Sequence, residues 1–347
     1  MCVAKRLANM SSRARRRILV TGGAGFIGRR VTVQLAEAGY EPYIYDSMQL
    51  GSTREFQPLR GNVRIVRGDI ADFSDLNKAV RKADQILHLC APSSFLMYEE
   101  RPVESAVTTY VGFLNLMEAM RRNSKNRLVF ASTSAVYEGL PTPWKEDMTC
   151  SPPDLKALSK LQNEQIAKQY ADRYGVKSVA LRPMSVYGVG EYTKKGYANV
   201  ISLFVWAMLN GERPIVWGDG TQRRDFIYVD DCADLVLRAL EFNWSKQNSN
   251  FEVFNVGTGK STSFNDITRL VNERLNANLK PIYVAIPIAL YATEVLGDMS
   301  KANRMLGWGA RVDIQEGISK VVENARRDPR IRELSEAQKY ALRAKKK

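Results

Sequence analysis

Short apolar runs alternate with amphipathic segments along residues 18–182. The runs are rich in β-branched residues and are predicted as strands, while the segments between them place apolar residues at helical spacing. The predicted strands are 18–21, 43–45, 63–66, 86–89, 127–131 and 178–182, and the predicted helices are 29–38, 72–83, 103–122 and 155–174. This alternation favours an α/β fold with a Rossmann-like, doubly wound parallel sheet.

The pattern changes after residue 182, where strands and helices no longer alternate regularly. Helices are predicted at 198–210, 231–241, 264–275 and 314–326, and a short strand at 214–217. We therefore expect a sheet domain at 18–182, to which 225–257 returns. Residues 183–224 and 258–325 are expected to form a smaller C-terminal portion that covers the ligand.

The net charge of +14 is concentrated at the two ends of the chain. Residues 1–17 and 326–347 each carry a net charge of +6, which leaves +2 for the body. We interpret both ends as basic, solvated tails and expect no nucleic-acid binding. The apolar runs are too short to span a membrane. Four widely spaced cysteines and one histidine favour a cytoplasmic protein without a metal site.

Three glycines lie between the first predicted strand and the first predicted helix. Gly22, Gly25 and Gly28 have the spacing that allows a tight turn, close approach of a pyrophosphate and packing of the helix on the strand. Asp46 follows Gly28 by 18 residues, at the end of the second strand, where its carboxylate can accept the ribose hydroxyls. No arginine directly follows Asp46, which favours NAD over NADP.

Further motifs occur in a fixed order along most of the chain. They are TGGAGFIG at 21–28, GDI at 68–70, HLCA at 88–91, STSAVY at 132–137, LRP at 181–183, VYG at 186–188, GDGTQ at 218–222, RDFIYVDD at 224–231 and NVGTG at 255–259. In this combination the chain resembles the extended short-chain dehydrogenases/reductases, which include NAD-dependent nucleotide-sugar epimerases and dehydratases. It is most similar to UDP-glucose 4-epimerase-like proteins of an archaeal kind.

The resemblance implies a cofactor site and a catalytic site. The implied cofactor residues are Gly22, Gly25, Phe26, Ile27, Gly28, Asp46, Asp69, Ile70, Leu89, Ala91 and Lys160. Thr133 matches the catalytic hydroxyl of the family, and Lys160 matches the lysine that binds the nicotinamide ribose. The family has a tyrosine base four residues before this lysine, but this chain has Lys156 there.

Three interpretations of Lys156 remain open. In the first, two lysines one helical turn apart disfavour each other's charge, so that a neutral Lys156 amine accepts the proton. In the second, another group, such as Tyr187 or a nearby hydroxyl, is the base and the specificity is altered. In the third, the chain binds NAD and a nucleotide sugar but has lost most of its activity.

The resemblance also indicates the reaction and the substrate. Family dehydratases and decarboxylases carry an acidic residue after the catalytic hydroxyl, whereas this chain has Ser134 and Ala135, which favours epimerisation. The expected function is a UDP-hexose 4-epimerase that oxidises and re-reduces C4. The substrate-binding residues are expected to be Thr133, Ser134, Ser185, Tyr187 and Arg224, with Arg223 as an alternative to Arg224.

The quaternary structure is a further expectation. Helices 103–122 and 155–174 resemble the pair that forms a four-helix bundle in dimeric members of the family. Their apolar positions are equally compatible with packing against the protein's own sheet. We expect a homodimer formed through these helices.

Overall fold

A seven-stranded parallel sheet is the centre of the fold. The computed structural model describes residues 16–59, 63–286 and 291–339. The sheet has the strand order β3-β2-β1-β4-β5-β6-β10. Its strands are β1 (Arg17–Thr21), β2 (Glu41–Asp46), β3 (Arg64–Arg67), β4 (Gln85–His88), β5 (Arg127–Ala131), β6 (Lys177–Pro183) and β10 (Phe251–Val256). This order confirms the predicted Rossmann-like, doubly wound α/β fold.

Twelve α-helices are found in the described residues. They are α1 (Phe26–Glu37), α2 (Phe73–Arg81), α3 (Phe95–Glu100), α4 (Pro102–Ala106), α5 (Gly112–Arg122), α6 (Leu155–Tyr174), α7 (Val200–Leu209), α8 (Val229–Leu240), α9 (Phe264–Leu275), α10 (Ser300–Leu306), α11 (Ile314–Arg326) and α12 (Ile331–Ser335). No helix in the described ranges is both long enough and apolar enough to cross a membrane.

Alternate residues of the central strands bury against opposite faces of the sheet. On β1, Ile18 and Val20 pack into the core formed with α1 and α8, where Leu35 is fully buried. Leu19, between them, belongs to the other core, which contains Phe113 of α5. Side chains on a strand alternate between faces, so the apolar run of β1 reflects a strand that is covered on both sides.

The smaller portion has its own strands and core. Its strands are β7 (Ser185–Tyr187), β8 (Ile215–Trp217), β9 (Arg223–Tyr228), β11 (Ser261–Ser263), β12 (Ile282–Val284) and β13 (Glu294–Val295). β9 pairs with β7, β11 and β13, and β8 pairs with β12. The core beside them includes Phe204, Ile267 and Val322, which lie on three different helices.

Two boundaries differ from the sequence prediction. Residues 225–257 were expected to return to the central sheet, and β10 does so, but residues 225–228 lie in the small sheet as part of β9. The predicted helix 103–122 is interrupted by a π-helical segment, Val107–Val111, between α4 and α5. Both differences depend on contacts with distant parts of the chain, which periodicity does not report.

The C-terminal stretch is not a solvated tail over its described part. Residues 331–335 form α12, and the buried Leu334 packs into the core of the smaller portion. The Arg330 guanidinium lies 3.6 Å from the ring centroid of Tyr192. The prediction of a basic tail beginning at residue 326 is therefore wrong up to Lys339. The rest of this predicted tail, residues 340–347, lies outside the described residues, as do residues 1–15 of the predicted N-terminal tail.

Candidate active site

The glycine loop closes tightly between β1 and α1. Gly22 has φ +72°, and a Cβ there would lie 2.7 Å from backbone atoms of Cys90. A Cβ on Gly28 would lie 2.1 Å from the Gly22 carbonyl oxygen. Only glycine fits at both places, so the loop passes directly over the ends of β1 and β4. The backbone N–H groups of the first turn of α1 then face the space beyond the strands.

Asp46 holds this loop from the end of β2. Its Oδ2 accepts a hydrogen bond of 3.0 Å from the Ala24 N–H, and its Oδ1 accepts one of 2.8 Å from the Met48 N–H. Each carboxylate oxygen has a second lone pair. Asp46 can therefore keep both backbone bonds and still accept hydrogen bonds from the hydroxyls of a ribose.

A cavity of about 470 Å³ opens above the loop. This volume lies within the range of small-molecule sites. Five of the predicted cofactor residues line it, namely Gly22, Gly25, Asp46, Leu89 and Ala91. Residues that the sequence analysis missed also line it, among them Met97 of α3, Glu104 of α4 and Arg101 between the two helices. A tight glycine turn, a carboxylate at the next strand end and a cavity between them fit an NAD molecule.

Other predicted cofactor residues lie beside the cavity. The Phe26 side chain packs into the core of the smaller portion, and Ile27 packs against that core and the sheet core. The Asp69 carboxylate accepts a hydrogen bond of 2.9 Å from the Ala71 N–H, while Ile70 is buried against Gly112 of α5. The side chains of Phe26, Ile27 and Ile70 are therefore structural here. Backbone contacts of these residues with a cofactor stay a prediction.

Thr133 and Lys160 both lie near the end of β5. The Lys160 ammonium donates a hydrogen bond of 2.7 Å to the carbonyl oxygen of Ala131, the last residue of β5. The Thr133 Oγ1, two residues further on, accepts a hydrogen bond of 3.2 Å from the Ala135 N–H. Because Thr133 acts there as an acceptor, its hydroxyl proton remains available to a ligand. Burial lowers the pKa of Lys160 to about 8, and the nearby charge of Lys156 also lowers it.

Lys156 lies one turn before Lys160 on the same helix and is half-buried. Within the described residues its amine has no ion pair and no hydrogen bond to the protein, so it is free to meet a ligand. Burial lowers the pKa of Lys156. The carboxylates of Asp154 and Glu138 act in the opposite direction, and the cationic Lys194 adds to the lowering.

A buried polar network supports this strand end from behind. Glu164 accepts two hydrogen bonds from the Arg182 guanidinium, at 2.9 and 2.6 Å, and one from the Ser132 hydroxyl. Arg182 also lies 4.7 Å from the ring centroid of Tyr137, whose hydroxyl donates to Asn255 at 2.9 Å. The sequence analysis missed this network. The available signal was that Ser132, Tyr137, Arg182 and Asn255 all lie inside three of the motifs.

The predicted substrate residues occupy different environments. Ser134 is buried in the short 3₁₀ helix Ser134–Tyr137, and Ser185 is half-buried on β7. Tyr187 is fully buried in the core of the smaller portion, with its hydroxyl against Gly317. That hydroxyl has no hydrogen-bond partner among the described residues, and burial raises its pKa. The Tyr187 side chain is therefore enclosed in this structure, and its expected contact with substrate or role as the base stays a prediction.

Arg224 and Arg223 are engaged differently. Arg223 donates to the Ser261 carbonyl oxygen at 2.6 Å and lies 3.8 Å from the Glu294 carboxylate. The Arg224 guanidinium lies 4.8 Å from the Tyr291 ring centroid, and no carboxylate of the described residues is within 4.0 Å of it. A half-buried guanidinium that has no acidic partner is suited to bind an anion. This difference favours Arg224 over Arg223 as the diphosphate ligand.

The chain belongs to the NAD dependent epimerase/dehydratase family, whose sequence profile matches residues 18–257. It is 35% identical over 309 residues to a Methanocaldococcus jannaschii protein named "Putative UDP-glucose 4-epimerase", with 88% of this chain and 97% of the relative covered.

Two solved structures extend the comparison. A Thermotoga maritima UDP-glucose 4-epimerase with UDP-glucose has a TM-score of 0.82 and 31% identity, covering 89% of this chain and 98% of that one. A Thermus thermophilus UDP-glucose 4-epimerase in complex with NAD has a TM-score of 0.78 and 29% identity, covering 90% and 99%. The cofactor of this chain is NAD.

Proposed function

We propose that the protein is a UDP-hexose 4-epimerase in which Lys156 replaces the tyrosine base. The observation that carries this proposal is the unpartnered, half-buried Lys156 amine one helical turn from Lys160, which is fixed at the end of β5 beside Thr133. A proton acceptor, a hydroxyl donor and a lysine are the groups that 4-epimerisation requires, and the proposal assigns these roles to Lys156, Thr133 and Lys160.

The residues of this chain would divide the work as follows. NAD, when bound, supplies the capacity to accept a hydride from the sugar C4 and return it to the other face. The neutral Lys156 amine accepts the O4 proton as C4 becomes a ketone, and the ammonium returns it on reduction. The Thr133 hydroxyl donates a hydrogen bond to O4, and Lys160 holds the nicotinamide ribose. Arg224 binds the diphosphate, so that the sugar can turn while the nucleotide stays in place.

Lys156 also supports a second candidate function. The family position of the base carries an amine in place of a phenol, so the chain is also a candidate NAD and nucleotide-sugar binding protein without turnover. Burial favours the neutral amine of Lys156, which supports the catalytic alternative. The two functions differ in whether product forms.

An NMR product assay separates them. The purified chain, with NAD, is incubated with UDP-glucose, UDP-galactose, their N-acetyl forms and UDP-glucuronic acid, in parallel with Lys156→Tyr. Turnover by the chain itself, increasing with pH, supports a lysine base. Turnover by the tyrosine variant alone supports the binding protein. If neither the native chain nor Lys156→Tyr converts any of these sugars, the 4-epimerase proposal is overturned.

We also propose a homodimer formed through α4 to α6. Several large apolar side chains on these helices are exposed, which is unusual for a surface that stays in water. They are Val103, Val107, Tyr110, Val111, Leu114, Leu155 and Leu158. Sedimentation velocity of the chain and of Leu114→Glu tests this, because a charge in the interface should give the monomer.

A further inference from the structure

We propose that the C-terminal segment, residues 328–339, sets the affinity for NAD, because its Arg330 holds Tyr192 and Tyr192 holds the loop beside the cofactor cavity. Arg330 and Tyr192 are thus positioning residues for the cofactor. The proposal goes beyond the proposed function, since it concerns cofactor binding and not the reaction. Neither the motifs nor the resemblance assigned a role to these two residues, and the matching family profile ends at residue 257.

Ala24, inside the glycine loop, is held by three hydrogen bonds. Its N–H donates to the Asp46 carboxylate at 3.0 Å. Its carbonyl oxygen accepts hydrogen bonds from the Ser52 N–H at 2.9 Å and from the Arg29 guanidinium at 3.2 Å. The glycine loop therefore depends for its position on the start of α1 and on the chain that follows Asp46, which we call loop 47–55.

Tyr192 holds loop 47–55 from the smaller portion. It lies in the 3₁₀ segment Glu191–Tyr197. Its hydroxyl donates a hydrogen bond of 3.1 Å to the Glu55 carboxylate and lies 2.9 Å from the Ser52 Oγ. The residues just before Ser52 line the cofactor cavity, namely Ser47, Gln49, Leu50 and Gly51. Tyr192 thus fixes the end of a loop whose beginning forms a wall of the cavity.

Two guanidinium groups lie over the Tyr192 ring. The Arg330 guanidinium is 3.6 Å from the ring centroid and the Arg29 guanidinium is 5.1 Å from it, both within cation–π range. Each guanidinium is also held by a carboxylate. The Arg330 Nε donates to Asp328 at 2.8 Å, and the Arg29 Nε lies 3.2 Å from the Glu55 carboxylate. The tyrosine is therefore fixed by α1 and by the C-terminal segment together.

The C-terminal segment has its own attachment to the smaller portion. Leu334 packs into the core there, and the Gln338 side chain accepts a 3.1 Å hydrogen bond from the Ile215 N–H. Arg330 is thus presented to Tyr192 from a fixed base. A loop that already has its bound position loses less conformational entropy when the ligand binds, so the contact with Arg330 should increase the affinity for NAD.

The first test removes the Arg330 guanidinium. Nucleotide-free protein is titrated calorimetrically with ADP-ribose, the half of NAD that the glycine loop and Asp46 are suited to bind. Arg330→Met should raise the Kd about two- to fivefold, as expected for one cation–π pair, and Arg330→Lys should restore part of the affinity. Arg332→Met, an exposed position of α12, is the matched control and should keep the native Kd. A native Kd for Arg330→Met would overturn the proposal.

The second test asks whether Arg330 acts through Tyr192. Tyr192→Phe keeps the ring and removes the hydroxyl, and it should raise the Kd for ADP-ribose about two- to tenfold. Tyr283→Phe, which removes a 2.9 Å bond to Asn265, is its control and should have no effect. In a Tyr192→Leu background, Arg330→Met should cause no further increase. A native Kd for Tyr192→Phe, or an undiminished effect of Arg330→Met without the ring, would overturn the proposal.

Titration with UDP separates a local effect from a general loosening of the protein. Loop 47–55 lines the cofactor cavity, whereas we propose that UDP binds at Arg224, so Arg330→Met should leave the Kd for UDP unchanged. Equal increases for UDP and ADP-ribose would overturn the proposal. None of these titrations needs turnover. If the chain epimerises no sugar, the proposed function fails, and the ADP-ribose titrations still decide the role of the C-terminal segment.

Discussion

The Tyr197 hydroxyl donates a hydrogen bond of 2.6 Å to the Glu100 carboxylate. Glu100 is the last residue of α3, beside the central sheet, and Tyr197 ends a 3₁₀ segment of the smaller portion. Both residues line the cofactor cavity. The bond therefore connects the two walls of the cavity across 97 residues of sequence.

Removing this bond should loosen cofactor binding. We expect Tyr197→Phe to raise the Kd for NAD about two- to tenfold, because a typical hydrogen bond contributes about 0.5–1.5 kcal/mol and the exposure of this one weakens the effect of the charge on Glu100. Fluorescence titration with NADH measures the Kd of the cofactor for each protein. Tyr283→Phe, which removes a 2.9 Å bond to Asn265 elsewhere, should leave the Kd unchanged. An equal Kd for both variants and the native chain would contradict the prediction.

The diphosphate assignment gives a matched pair of variants. Arg224→Met should raise the Kd for UDP about 10- to 100-fold, since hydrogen bonds to charged groups contribute about 1.5–3 kcal/mol. Arg223→Met should have little effect, because Arg223 is already engaged by Ser261 and Glu294. Calorimetric titration with UDP measures both variants. A larger loss for Arg223→Met would reverse the assignment.

Lys160 should make stability depend on alkaline pH. Its pKa is lowered from 10.5 to about 8 in the folded protein, mainly by burial. Between these two values the unfolded chain binds more protons, so the free energy of unfolding should increase with pH, by up to about 1.4 kcal/mol per pH unit. Below pH 8 both states carry the ammonium, and this contribution is constant.

Lys160→Met isolates this contribution. Urea unfolding of the native chain and the variant between pH 7 and 10 gives the difference in the free energy of unfolding at each pH. From pH 8 upwards, the free energy of unfolding of the native chain should increase relative to that of Lys160→Met. A difference that is constant with pH would show that Lys160 titrates normally in the folded protein.

Replacing only one partner of the ion pair between Glu164 and Arg182 should strongly lower the free energy of unfolding. Both side chains are 5% exposed, and Arg182→Met would leave a buried carboxylate without its cation. We expect a loss of about 3–5 kcal/mol in the free energy of unfolding. Asp172→Asn, which breaks the exposed pair with Lys168, should cost less than about 1 kcal/mol. Similar losses in denaturant titrations of both variants would contradict this difference.

The two lysines of α6 show how much the local sequence predicts. Lys156 and Lys160 are four residues apart, and a helix over 155–174 is enough to put them on one face. The same reasoning placed Gly22 and Gly28 in the turn after β1, because strand and helix periodicity flank them. Tyr187 had no such local constraint. Its motif suggested the site, but Phe226 and Tyr228 of β9 pack against it inside a separate core.

The sequence alone determined the alternation of strands and helices and the glycine loop with Asp46. Periodicity and short motifs encode these features within one or two elements. The tertiary structure decided that Arg224, unlike Arg223, has no acidic partner among the described residues. Burial and charge at a position depend on the groups that folding brings beside it, and those come from distant parts of the chain.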